Sequence, residues 1–213
     1  MADDLEPLKL YFDYKSPFAY LAAEPAFGLP ERYRVALRWL PFQLRIKGKG
    51  QRSVYSEWKV RYSYMDARRW ANRAGGLRIL GPKKIYDSTP SLIGALFAQR
   101  AGFFPAYTRA TFARFFERRL ELDVPEAVAE LIDELGGDPA AYLAWAAGEG
   151  AARLEASIDE AHGDEVFGVP IFVLRGEKFW GHDRIGLLEE RLAEYGLARD
   201  ADAGLRPSAT PRI

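Results

Sequence analysis

The spacing of apolar residues predicts a β-α-β unit at the beginning of the chain. The segment Leu8–Asp13 alternates and is rich in strand-forming side chains, and Val35–Phe42 also reads as a strand. Between these two predicted strands, Ser16 is followed by Pro17. This pair predicts the start of a helix, because serine caps helix N-termini and proline is favoured at the first helical position. A helix between two strands indicates that the strands lie parallel.

The middle of the chain, from residue 54 to residue 162, has helical spacing. The first predicted helix covers Val54–Ala74 and ends at Gly75-Gly76. Its apolar face is expected along one stripe, formed by Tyr55, Trp58, Tyr62, Met65, Arg69 and Ala74. Further helices are predicted over residues 90–101, 105–120, 125–135 and 139–162, each beginning at a proline. Gly148 and Gly150 weaken the last of these helices in its middle.

Strand spacing returns only near the C-terminal end. Two short strands are predicted, Ile171–Leu174 and Lys178–Trp180, joined as a hairpin by Arg175-Gly176-Glu177. An amphipathic helix over Ile185–Tyr195 follows them. The last three predicted elements therefore form a β-β-α unit.

The order of these elements predicts the fold class and the domain boundaries. A β-α-β unit at the start and a β-β-α unit at the end are the two halves of a thioredoxin-like fold of the α/β class, split by an all-helical insertion. The predicted thioredoxin-like domain covers residues 8–50 and 164–196, and the insertion covers residues 51–163. Residues 197–213 have little apolar periodicity and are predicted to be a disordered tail.

Gly168, Val169 and Pro170 lead directly into the strand that begins at Ile171. Proline has no N–H for a sheet ladder, so Pro170 fits the first position of a strand or an edge, and its peptide bond is a candidate for the cis form. The residue before a proline is held extended, which leaves the backbone of Val169 free to pair with a ligand. Thioredoxin-like folds have such a loop beside their active sites. The alternative is an ordinary turn before a strand.

The composition narrows the chemistry of such a site. Cysteine is absent from the 213 residues, which excludes disulfide exchange by the protein itself, a cysteine nucleophile and thiolate metal ligands. With only two histidines, a metal site built by the protein is not expected. Any thiol must therefore arrive with a ligand.

Charge and hydropathy indicate which partners to expect. Lysine plus arginine and aspartate plus glutamate both number 30, and a formal net charge of zero argues against a broad nucleic-acid surface. No apolar run reaches membrane-spanning length, and the acidic segment Met1–Glu6 lacks the apolar core of a secretory signal. A cytoplasmic location, without a membrane partner, is therefore expected.

Three motifs resemble one known family. Phe12–Leu21, Phe167–Val173 and Phe179–Arg184 are similar to the signatures of 2-hydroxychromene-2-carboxylate isomerases and kappa-class glutathione transferases, within the DsbA-like thioredoxin superfamily. The resemblance spans about Leu8 to Gly196. It implies a glutathione cofactor whose thiolate meets an electrophilic substrate. By the same analogy, a homodimer is expected.

The resemblance assigns the central role to Ser16. In that family, the serine at this position replaces the nucleophilic cysteine of thioredoxins and faces the thiol of bound glutathione. A helix N-terminus carries unsatisfied N–H groups and partial positive charge, which favour a nearby thiolate. Ser16 is thus the expected catalytic residue, as a hydrogen-bond donor to sulfur and not as a nucleophile. The alternative is that Ser16 is only a helix cap.

The resemblance also implies the other glutathione contacts. Val169, beside Pro170, would pair through its backbone with the cysteinyl part, and His182 and Asp183 would receive the γ-glutamyl end. The alternative for Asp183 is a plain residue at the start of a helix. His182 departs from the small polar residue that the family often has there. Lys59 would approach the glycine carboxylate, although a solvated helix face is an equal alternative for this lysine.

Two features on the substrate side have alternative interpretations. The loop Arg45–Arg52 is basic where the family has an apolar, glycine-rich sequence, and the family's asparagine contact to glutathione has no counterpart there. The loop either recruits an anionic substrate or is simply exposed. Six aromatic residues either line an aromatic substrate site or belong to the core: Tyr11, Phe12, Tyr14, Trp58, Tyr62 and Trp70.

The function implied by the resemblance is glutathione-dependent isomerisation of an aromatic-degradation intermediate of the 2-hydroxychromene-2-carboxylate type. Transfer of glutathione to an electrophile is the related activity, and both reactions need the same thiolate, so the sequence does not separate them. The alternative from a different class is a non-catalytic module that binds a peptide or another small thiol through Val169 and Pro170.

Overall fold

The structure of the protein, a computed structural model, describes residues 5–44 and 54–199, apart from the side chains of residues 54–56. Within these residues the sheet has four strands, which are β1 (Glu6–Phe12), β2 (Val35–Pro41), β3 (Ile171–Leu174) and β4 (Glu177–Trp180). The strand order is β2-β1-β3-β4, with β1 parallel to β2 and antiparallel to β3. The predicted parallel pair and the predicted C-terminal hairpin are therefore confirmed.

Helices connect and cover the strands. They are α1 (Pro17–Phe27), α2 (Leu29–Arg32), α3 (Val54–Arg73), α4 (Thr89–Ala101), α5 (Phe104–Phe116), α6 (Pro125–Glu134), α7 (Pro139–Ala146), α8 (Glu149–Gly163) and α9 (Ile185–Glu194), and a short 3-10 turn, His182–Arg184, precedes α9. The helices α3 to α8 lie between β2 and β3 in the chain, as the sequence predicts. Among the described helices, none has both the length and the apolar character needed to cross a membrane.

The central strand β1 is covered on both faces. Leu8, Leu10 and Phe12 point into the larger core, whereas Tyr11 belongs to a smaller cluster on the opposite face together with Ile171. Successive side chains of a strand point to opposite faces, so a strand buried on both sides is apolar at almost every position near its end. The end of β1 is thereby fixed from two sides, and with it the turn that leads to Ser16.

The predicted apolar stripe of α3 is wrong. Trp58, Tyr62 and Met65 are 56%, 56% and 41% exposed, and α3 instead buries Ala67 and Ala71. Small side chains allow α3 to pack closely on α1, and the bulky aromatic residues are therefore left on the outer face. The position of large apolar residues on this helix does not identify its buried face.

The predicted helix over residues 139–162 is two helices, α7 and α8, separated at Ala147-Gly148. The reason lies in packing at Gly150, where an added Cβ would lie 2.7 Å from side-chain atoms of both Ile93 and Trp145. The chain changes direction so that α8 can approach α4 closely at this glycine. The two glycines therefore mark a break between helices and not merely a weak point.

Two predicted segments lie wholly or mostly outside the described residues. The basic loop Arg45–Arg52 is one of them, and the other is the tail from residue 200 onward. The first residues of the predicted tail do contact the domain, because Leu197 is buried and Ala198 forms a β-bridge with Tyr33.

We expect Gly94→Ala to lower the free energy of unfolding by about 1–3 kcal/mol, because it overpacks the core. An added Cβ on this α4 glycine would collide with the Tyr107 hydroxyl and lie 2.9 Å from Cγ1 of Val128. Tyr107 would have to move and would lose its hydrogen bond to the carbonyl of Ser91. Urea-induced unfolding measures the change. Gly186→Ala is the control, since nothing lies near an added Cβ there, and an equal loss in both variants would contradict the explanation.

Candidate functional site

The structure brings Ser16 and Val169 together, although they come from opposite ends of the chain. The Ser16 hydroxyl accepts the N–H of Ala19 at 3.1 Å, as an N-cap does, and donates to the Val169 carbonyl at 3.2 Å. The Val169–Pro170 peptide bond is cis. The N–H of Val169 has no hydrogen-bond partner among the described residues. Ser16 is therefore a helix cap that also contacts the proline loop.

Asp13 holds the turn before Ser16 in place. Its carboxylate is fully buried and accepts the N–H of Lys15 at 2.9 Å and the N–H of Leu44 at 2.7 Å. The Lys15 ammonium donates to the Leu44 carbonyl at 2.8 Å. Burial raises the pKa of Asp13, and the nearby Lys15 charge opposes that rise. Sequence reasoning missed this role, although a carboxylate at the end of a buried strand was a visible signal.

A cleft of about 260 Å³ opens beside this contact, and we call it the Pro170 cleft. It is lined by four residues that the sequence analysis assigned to glutathione binding, namely Val169, Pro170, His182 and Asp183. The other lining residues are Phe18, Asp66, Trp70, Trp180, Gly181 and Arg184. Because Gly181 donates its N–H to the Pro170 carbonyl at 2.9 Å, the proline loop and the turn at His182 form one wall.

His182 lies in an aromatic environment. Its ring stacks on Phe18, with centroids 5.4 Å apart, and meets the edge of Trp70 at 4.8 Å. Burial lowers the pKa of His182 and outweighs the opposing effect of Asp183 and Asp66. Its Nε2 atom is buried without a hydrogen-bond partner in the described part of the chain. His182 therefore offers the cleft a neutral imidazole.

The charged groups of the cleft suit an amino-acid end. Asp183 is exposed and accepts a hydrogen bond from Arg184 at 2.6 Å. Asp66 on α3 adds a second carboxylate to the lining of the cleft. Together these side chains present both signs of charge, which matches the ammonium and carboxylate of an α-amino acid.

Lys59 lies apart from these residues. It occupies the exposed side of α3, two helical turns or about 10 Å before Asp66. The helix α3 contributes Asp66 and Trp70 to the cleft in its place.

A second cavity, of about 630 Å³, is reached from the other side of α3, and we call it the basic cavity. Its charged side chains are Lys15, Arg61, Arg68 and Lys84, and its other residues are Leu44, Val60, Tyr64, Gly81, Pro82, Ile85, Tyr86 and Phe115. Sequence reasoning missed it, since its lining residues come from five separate segments of the chain. Of the six candidate aromatic residues, Tyr11, Phe12 and Tyr14 are fully buried in the core, and Trp70 lines the Pro170 cleft.

Ser16 is buried and lines neither cavity, but residues close to it in the chain line both. Lys15, immediately before it, lines the basic cavity, and Phe18, two residues after it, lines the Pro170 cleft. The segment from Lys15 to Phe18 therefore contributes a lining residue to each cavity.

Comparison with known proteins identifies the family. The family model for DSBA-like thioredoxin domains matches residues 7–193, and the chain belongs to this family. The 2-hydroxychromene-2-carboxylate isomerase of Pseudomonas putida is 28% identical to it over 190 residues, which cover 85% of this chain and 92% of that protein. The predicted resemblance to these isomerases is thus confirmed, and it supports an enzyme.

Solved structures agree with this assignment. A structure of a 2-hydroxychromene-2-carboxylate isomerase has a TM-score of 0.75 at 26% identity, covering 89% of this chain and 96% of that one. The cytosolic disulfide reductase DsbM of Pseudomonas aeruginosa, solved with GSH, has a TM-score of 0.60 at 20% identity, covering 88% and 99%, and shares the fold. The predicted α/β thioredoxin-like fold is confirmed.

We expect the pKa of His182 to lie below the ordinary value of about 6.5 and to rise towards it in Trp70→Ala, because removing the indole admits water. NMR titration of the imidazole measures both values. Since the folded protein resists protonation here, the free energy of unfolding should fall as the pH drops below about 6.5. Trp58→Ala on the exposed face of α3 is the control and should leave this pKa unchanged. A higher pKa in the parent protein would contradict the burial argument.

Proposed function

We propose that the protein is a glutathione-dependent isomerase acting on an aromatic carboxylate of the 2-hydroxychromene-2-carboxylate type. The observation that carries this proposal is the Ser16 hydroxyl at 3.2 Å from the Val169 carbonyl, at the start of α1 and beside the Pro170 cleft. The similarity to isomerases over most of the chain supports the reaction class. A protein of the same fold that is solved with GSH supports the choice of thiol.

The Pro170 cleft accounts for how glutathione would bind. The unpaired N–H of Val169 is available to the backbone of the cysteinyl residue, as in the addition of a β-strand. Asp66 and Asp183 attract the ammonium of the γ-glutamyl end, and Arg184 attracts its carboxylate. His182 lines the cleft as a neutral imidazole that packs against Phe18 and Trp70. This binding mode places the thiol at the start of α1.

Ser16 then acts on the sulfur. Its hydroxyl, released from the Val169 carbonyl, donates a hydrogen bond to the thiolate, and the partial positive charge at the start of α1 lowers the pKa of the thiol. The cyclic hemiketal of the substrate first opens: its ring C–O bond breaks, the hydroxyl proton passes to the phenol oxygen, and a ketone conjugated to the carbon–carbon double bond is formed. The thiolate then adds to the conjugated carbon, forming a C–S bond while the π electrons move onto the ketone oxygen. The former double bond rotates, the electrons return and the C–S bond breaks. Glutathione is regenerated, so the reaction consumes no co-reactant.

Transfer of glutathione to an electrophile uses the same first step and differs only in that a leaving group departs in place of sulfur. Turnover with catalytic amounts of glutathione favours isomerisation, whereas stoichiometric consumption indicates transfer. The homodimer expected by analogy stays a prediction.

A binding module is the second candidate, and one observation favours it. Phe167 and Trp180 are 64% and 53% exposed, and their rings pack 4.9 Å apart beside the proline loop. Exposed aromatic side chains next to an unpaired backbone N–H suit an extended peptide. Peptide binding that is indifferent to glutathione, without turnover, would support this candidate.

We expect glutathione binding by the parent protein to release protons near neutral pH, and Ser16→Ala to lose most of that release, because the thiolate loses its hydrogen-bond donor. Titration calorimetry in buffers of different ionisation enthalpy measures the released protons. Ser16→Ala should also lower the free energy of unfolding by about 0.5–2 kcal/mol through the lost cap.

Asp138→Ala is the matched control for the lost cap. Asp138 caps α7 by accepting the N–H of Ala141 at 2.9 Å, far from the Pro170 cleft in the chain. It should cost similar stability and leave proton release unchanged. Unaltered proton release in Ser16→Ala would overturn the proposed role of the hydroxyl, and failure of the parent to bind glutathione would overturn the proposed function.

A further inference from the structure

The basic cavity has an electrostatic character that the chain as a whole lacks. The protein carries a formal net charge of zero, yet four of the residues lining this cavity are basic and none of its described lining residues is acidic. Low-dielectric walls of one charge sign concentrate ligands of the opposite sign. The remaining lining residues are mainly apolar or aromatic. An anionic ring compound matches this surface.

Two of the four cations are already engaged. Lys84 pairs with Glu121 and Asp123 at 3.4 and 3.0 Å. Lys15 donates to the Leu44 carbonyl and lies 3.6 Å from the carboxylate of Asp13. These contacts compensate both ammonium charges. A ligand anion would therefore bind the other cations of the cavity in preference to either lysine.

The two arginines are different. Arg68 donates its Nε–H to the Ile79 carbonyl at 2.9 Å, and neither Arg68 nor Arg61 has a carboxylate partner in the part of the chain that the structure describes. A guanidinium has five N–H donors in a planar fork, which binds a carboxylate through two parallel hydrogen bonds. Both arginines therefore keep donors for a ligand.

Arg61, Tyr64 and Arg68 share one face of α3, because residues three, four and seven apart align along a helix. The two arginines are two turns apart, or about 10 Å along the axis, with Tyr64 between them. Burial raises the pKa of Tyr64 to about 12, so its hydroxyl keeps its proton at neutral pH and donates. This face presents three side chains with hydrogen-bond donors to the cavity.

We propose that Arg61 and Arg68, assisted by Tyr64, bind the carboxylate of the electrophile and make the enzyme selective for anionic aromatic substrates. The ring of the substrate then lies against Ile85, Tyr86 and Phe115, which line the same cavity from other segments of the chain. Lys15 lines the same cavity and immediately precedes Ser16 in the chain, and the proposal places the reacting end of the ring at this turn. The part of this inference that concerns the reaction rests on the proposed function. The part that concerns binding of the carboxylate rests on the basic cavity alone.

The test compares coumarin-3-carboxylate with coumarin, two probes that share a bicyclic ring and differ in the anion. Fluorescence titration of the parent protein should give tighter binding of the carboxylate. We expect Arg61→Gln and Arg68→Gln each to weaken binding of the carboxylate by about tenfold and to leave binding of coumarin unchanged, because each removes a charge-assisted hydrogen bond. Arg78→Gln, which removes an exposed arginine outside the cavity, is the control for net charge.

Equal affinity of the parent for the two probes would overturn the inference, as would equal weakening of carboxylate binding by Arg78→Gln. Glutathione titration of the same variants separates this result from the proposed function. Unchanged glutathione binding with no carboxylate preference would refute carboxylate binding by Arg61 and Arg68 and leave the thiolate site intact. Loss of glutathione binding in the parent, with the carboxylate preference present, would refute the thiolate site alone.

Discussion

The hydrogen bond between Ser16 and Val169 depends on the position of β1 in the sheet. These residues lie 153 positions apart in the chain. They meet because β1 is paired with β3 in antiparallel register, with Tyr11 opposite Ile171, so that the end of β1 lies beside the beginning of β3. The turn after β1 and the proline loop before β3 are therefore brought to the same edge. Any ligand held by one is within reach of the other.

Helix α3 of the helical insertion supplies lining residues to both cavities near this edge of the sheet. Without α3, the Pro170 cleft would lack Asp66 and Trp70, and the basic cavity would lack Arg61, Tyr64 and Arg68. One helix thus serves both cavities with different faces. Its packing face uses Ala67 and Ala71, and its large residues Trp58, Tyr62 and Met65 stay exposed. The insertion is part of the site and not merely an attachment to it.

The sequence predicted those elements whose formation depends on residues close together in the chain. The Ser16-Pro17 cap, the strand at Leu8 and the hairpin after Pro170 all depend on neighbours in the chain, and all are observed. The buried face of α3 and the break before α8 depend on which helices pack against them, and sequence spacing cannot show that. The role of Asp13 and the shared face of Arg61, Tyr64 and Arg68 were missed for the same reason, because the residues around them come from other segments of the chain.

The most direct test of the account is a crystal structure of the protein with glutathione bound. The account predicts the tripeptide in the Pro170 cleft, with its cysteinyl backbone paired to Val169 and its sulfur at hydrogen-bonding distance from the Ser16 hydroxyl. The Ser16 hydroxyl would then no longer donate to the Val169 carbonyl. A tripeptide bound with its sulfur directed away from the start of α1, or bound outside this cleft, would contradict the central claim that Ser16 stabilises the thiolate.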